Sequence, residues 1–187
     1  MNHVLRSLEP VKRKLGGLAG DERGVSAVEF AMMLPLMLTL YLGAVELSQG
    51  VGADRKVTLT ARTVADLVSQ TASINNADMT NSLNASAAVM SPYPTSNLKV
   101  TVSSVKIDST GKATIEWSDT YNGAARAVNS TVTLPSALVV PNTWLIWSEV
   151  QYSYTPTIGY VISGTLTLKD QSFMTPRLSA DVKRTTS

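Results

Sequence analysis

The sequence predicts an α+β protein. A long N-terminal transmembrane helix continues into an amphipathic helix, and a small domain with a mainly antiparallel β-sheet follows. Three observations predict this. An apolar run of membrane length lies near the N-terminus. Apolar residues then recur at mostly three- and four-residue steps as far as Ser69. From Leu98 onward the period changes to two.

The apolar run spans Val25 to Val45, 21 residues in which Glu29 is the only side chain charged at neutral pH. As a helix it is about 30 Å long, which matches a bilayer's hydrocarbon core. A secretory signal has a core of roughly 7–15 apolar residues and a small-x-small cleavage site. This run is longer, and Leu42 before Ala44 makes a poor site. A soluble core helix would be shorter and seldom so apolar all round, so the run reads as a single-pass anchor. Residues 1–24 hold five bases and three acids, while the rest of the chain holds eleven of each. This bias predicts a cytoplasmic leader (1–24), a transmembrane helix (25–46) and an extracytoplasmic α+β domain (47–187). With the positive excess confined to the leader, no basic face is left for nucleic acid.

Two residues in the run need a physical account. Pro35 removes a backbone donor and is expected to kink the helix, which membrane helices tolerate when neighbours satisfy the freed carbonyl. Glu29 would cost roughly 2.5–3.5 kcal/mol at a bilayer's centre and less near its edge. At the edge it can turn to water, or it can meet an opposite charge.

The stretch Arg23-Gly24-Val25-Ser26-Ala27-Val28-Glu29-Phe30 resembles the processing site of type IV pilin-like precursors. A basic leader ends in glycine, and an apolar helix follows with glutamate at its fifth position, counted from Val25. With Leu34-Pro35 and the Gly43 to Glu46 spacing, the segment resembles the opening of the TadE/TadG-like family. These are pseudopilin-like (minor pilin) proteins of tight-adherence (Tad/Flp) pilus systems. The resemblance covers about a quarter of the chain; "VQYSYTP" and "FMTPR" resemble the family's endings more loosely. Phe30 stands where the pseudopilin pattern often has Tyr.

The resemblance implies cleavage by a prepilin peptidase between Gly24 and Val25. The new α-amine of Val25 would pair with Glu29 of the same or a neighbouring subunit. It also implies a non-enzymatic role in type IV pilus biogenesis, adhesion and biofilm formation. The partners would be other pilin or pseudopilin subunits and the inner-membrane assembly platform. The location implied is the bacterial inner membrane, single-pass, with the C-terminal domain periplasmic, either resident there or incorporated into the pilus. The alternative is an uncleaved, membrane-anchored binding or adhesion domain outside any filament.

Beyond the anchor, Leu47, Val51, Val57, Ala61, Val64, Ala65 and Val68 mark one helical face, with Gly50 and Gly52 as weak points. A short linker followed by a domain helix is the alternative. A second helix is expected at 77–90, capped by Asn75 or Asn76. Alternation predicts a hairpin of 98–107 with 113–119, in which Ala113, Ile115 and Trp117 share a face. Residues 122–142 are ambiguous, with a short strand possible at Val132–Leu134. A strong strand signal covers 143–155 and a last strand lies within 164–174. The polar tail from Ser179 is expected to be loose.

Little in the domain suggests chemistry. There is no cysteine, and the only histidine is His3 in the leader. This excludes a thiol nucleophile, and any triad or metal site that needs a histidine in the domain. Glu116, Asp119 and Glu149 could meet across strands, but nothing fixes their spacing. Residues 159–164 lack the spacing of a phosphate loop. No cofactor, metal or small-molecule substrate is expected. Tyr160 and neighbouring aromatics could form an adhesive surface. Trp144, Tyr152 and Tyr154 alternate onto one face and read as core, whereas Trp147 falls on the other face and is the candidate partner contact.

Overall fold

The computed structural model describes residues 22–159 and 163–186, so expectations for most of the leader, His3 and Tyr160 fall outside the described residues. The described residues fall into two compact units that divide between Val45 and Glu46. Helix α1 runs from Glu22 to Ser69, and α2 from Asn76 to Ala88. The strands are β1 (Ser73–Ile74), β2 (Leu98–Ile107), β3 (Ala113–Tyr121), β4 (Thr131–Val132), β5 (Thr143–Tyr154), β6 (Leu166–Met174) and β7 (Lys183–Arg184). Five of them form an antiparallel sheet in the order β4-β3-β2-β5-β6, while β1 and β7 form a separate parallel pair. The fold is the expected α+β arrangement.

Within the second unit, α1 packs on one face of the sheet. Ala53, Val57, Ala61, Val64, Ala65 and Val68 are buried there against Val100, Val102, Ile146 and Val150. The alanines lack bulk, so the sheet comes close enough for the Ser148 hydroxyl to donate to the Ala61 carbonyl. Helix α2 adds Met79, Leu83 and Ala87 to this core. The Asn75 side chain caps it, accepting from the Asp78 N–H at 2.8 Å.

The start of the buried stripe differs from expectation. Leu47 and Val51 are 62% and 45% exposed, whereas Glu46 and Gly50 are buried. Tyrosines explain the offset. A Cβ on Gly50 would touch the Tyr154 ring at 3.8 Å, and one on Gly52 would lie 2.9 Å from Tyr93 Oη. Tyr93 Oη donates to the Gln49 carbonyl at 2.9 Å, and its ring stands edge-on to Tyr152 and Tyr154. The glycines are therefore a notch for aromatic rings, which a side chain on Gly52 would obstruct.

Strand β3 breaks its own alternation. Ser104 pairs with Trp117 and Val105 with Ile115, leaving Glu116 as an extra residue in a β-bulge. Ala113 and Ile115 therefore face away from the helices, and Trp117 faces toward them. This corrects the expectation that all three share a face. On the outer face Ala113 and Ile115 join Val105, Ile107, Leu145 and Trp147 in a second core, which Leu134, Leu138 and Val139 cover.

The tail is docked, contrary to the expectation of a loose one. Val182 is fully buried, and its carbonyl accepts from Trp117 Nε1 at 2.7 Å. Arg184 pairs with Asp119 at 2.8 Å, and Arg177 pairs with Asp66. The polar composition of the tail hid one buried valine and one arginine with a specific carboxylate partner, and Arg177 just before it has another.

The tyrosine notch yields a contrast. Tyr93→Phe removes a hydrogen bond and should lower stability by about 1 kcal/mol. Tyr154 Oη is buried without a partner among the described residues, so Tyr154→Phe should leave stability unchanged or raise it. Thermal unfolding in detergent reads both. Burial, with a smaller contribution from Tyr93, pushes the Tyr152 and Tyr154 phenols above their usual range. The native state then holds protons that the unfolded state releases above about pH 10. Stability should fall as pH rises through that range, and less steeply in Tyr154→Phe.

Candidate functional site

The residues singled out in the sequence lie mainly on the first part of α1. The most apolar 18-residue window there has a mean hydropathy of 1.8, and none of it is buried. Val25, Val28, Phe30, Met32, Met33 and Leu36 are 59–77% exposed. An unbroken apolar surface of this length is unfavourable in water and suits hydrocarbon. The helix is a candidate membrane anchor.

The exposed acid and the glycine sit at the start of this surface. Glu29 lies one helical turn beyond Val25, so the two positions share a face, about 6 Å apart along the axis. Among the described residues no cation pairs with Glu29. A Cβ built on Gly24 meets nothing within 4 Å, and its φ is not in the left-handed region. Nothing described in the fold requires glycine there. The helix continues without interruption through Pro35, whose carbonyl accepts the Thr39 hydroxyl at 2.8 Å. Pro35 has no N–H to offer the Ala31 carbonyl one turn earlier.

Residues 24–66 match the family model of the TadE-like proteins. The match starts at the exposed glycine, covers the apolar surface and ends inside the buried stripe of α1. The sheet and α2 lie outside the TadE-like segment. No curated protein and no solved structure matches the chain.

In the domain, Trp147 is on the face opposite the tyrosines, as alternation predicts, but its expected role as a partner contact assumed an open ring. The ring is 7% exposed. It stacks on Phe173 at 5.5 Å, and its Nε1 donates to Gln171 Oε1 at 3.2 Å. The Arg126 guanidinium lies 4.1 Å above it. Arg126 belongs to the segment that the sequence left ambiguous, and that segment crosses over this face.

The three strand acids do not converge. Asp119 faces the helices with Arg184, while Glu149 is on the outer face with Arg126. Glu116 is the bulge residue and accepts from Ser104 at 3.4 Å. Among the described residues, no His, Cys, Asp or Glu cluster could hold a metal ion. Arg126 binds Glu149 through two nitrogens at 2.6 and 2.7 Å, and its own N–H donates to Ser118 Oγ at 3.0 Å. The bond to Glu149 holds the guanidinium above its usual pKa. Both side chains are about one-third exposed, which moderates the pair's contribution. Arg126→Ala should cost about 1 kcal/mol and uncover the indole. A red shift in tryptophan emission and a lower unfolding midpoint would register the two effects.

Proposed function

We propose that the chain is a non-enzymatic, pseudopilin-like or minor-pilin component of a tight-adherence pilus apparatus, held in the bacterial inner membrane by residues 25–46. The observation that carries this reading is the TadE-like match over an exposed apolar helix that keeps one carboxylate near its start. In this reading a prepilin peptidase cuts between Gly24 and Val25. Gly24 is compatible with the step, because it is exposed and nothing described in the fold uses its lack of a side chain. Cleavage would leave an ammonium on Val25, one turn from Glu29. A carboxylate at the membrane edge is stabilised by such a charge, on the same subunit or a neighbour. The positive bias of residues 1–24 supports a cytoplasmic N-terminus and a periplasmic domain. The exposed flank of α1, with Pro35 and the Ala31 carbonyl to which it cannot donate, would meet other pilin subunits and the assembly platform.

Mass analysis of the membrane-purified protein tests the cleavage. The expected N-terminus is Val25, and an intact leader would overturn the processing step. Glu29→Leu tests the pairing. It should insert normally yet fail to recruit other pilus subunits in co-purification from membranes. Undiminished recruitment would favour an uncleaved, anchored binding domain instead.

A further inference from the structure

The outer face of the sheet is only partly covered. Beside the second core it forms a concavity of about 590 Å³ between the chain at 123–126 and strands β2, β5 and β6. Strand register sets its floor. Lys99, Gln151 and Lys169 lie in one row across the three strands, and Thr101, Glu149 and Gln171 lie in the next. Neighbouring strands are about 4.8 Å apart, so the two lysines are rooted about 10 Å apart with the Gln151 amide between them. The wall is close-fitting: a Cβ on Gly123 would lie 2.7 Å from Thr120 Oγ1 and 3.7 Å from Lys99 Cβ.

The charges of this concavity do not cancel. Arg126 neutralises Glu149. Asp170 lines the rim, but strand alternation turns its side chain toward the opposite face, and its carboxylate accepts the Gln171 N–H. Lys99 and Lys169 form no ion pair among the described residues and are exposed. Two lysines rooted on either side of an amide, with flexible stems that let both ammonium groups converge, are complementary to a carboxylate. Among the described residues no aromatic ring lines the concavity for sugar stacking, and the nearby Trp147 and Phe173 stack on each other beneath Arg126. Amide and hydroxyl groups on the floor suit a peptide backbone better.

We propose that this concavity docks an extended, carboxylate-bearing segment of a partner protein, with one acidic side chain seated between Lys99 and Lys169 above Gln151. Gln171 and Thr101 bond the partner's backbone, and Arg126 forms a rigid wall. This surface is independent of Glu29 and of leader processing, so it can fail without affecting the pilus reading.

Calorimetry on the full chain in detergent tests it, with a short peptide alternating glutamate and threonine as the probe. The glutamate peptide should bind, more weakly as salt rises. Its glutamine counterpart should bind at least about tenfold more weakly, and so should the glutamate peptide to Lys99→Gln/Lys169→Gln. Lys99→Arg/Lys169→Arg should retain binding, which separates charge from any effect on folding. No binding of the glutamate peptide, equal binding by the glutamine variant, or tighter binding of polygalacturonate than of the peptide would each overturn the proposal.

Discussion

The second unit depends on how closely α1 approaches the sheet. Ala53, Ala61 and Ala65 bring the helix backbone within reach of β5, and the Ser148 hydroxyl bonds the Ala61 carbonyl at the centre of the seam. A larger residue at Ala61 or Ala65 would push the helix off and open voids around Val57, Val64 and Val68, which tight interiors tolerate poorly. The same closeness governs the tyrosine notch at Gly50 and Gly52. It also fits the tail, because Trp117 can reach Val182 only from the helix side of the sheet.

Where the chain repeats a simple period, sequence and structure agree. The long N-terminal helix followed from its apolar length, and the second helix, the β2–β3 hairpin and the long strand β5 from spacing. The reading failed where one residue breaks the period. Glu116 bulges out of β3 and sends Trp117 to the other face, a change that composition does not mark. Glu46 and Gly50 displaced Leu47 and Val51 from the buried stripe because tyrosines distant in sequence fill the space there. Such offsets come from tertiary partners and leave no local trace.

The candidate motif on α1 was legible because it is local: a glycine, an acid and a proline at fixed intervals in an apolar run. The family match begins at that glycine. The outer face was not legible. Arg126 sits in a segment without a period, and its partners Glu149 and Trp147 are 23 and 21 positions away. Lys99 and Lys169 are neighbours in space only because β5 lies between β2 and β6. Alternation assigned Trp147 to its face correctly, but it could not show what lay on top.

The docked tail also bears on the order of folding. Val182 fills a place in the first core, and β7 pairs with β1, more than a hundred residues earlier in the chain. The Trp117 indole and the Asp119 carboxylate have no partners there until residues 182–184 arrive. Contacts so distant in sequence form late. A chain delivered from its N-terminus therefore stays open along one seam until residues 182–184 have emerged.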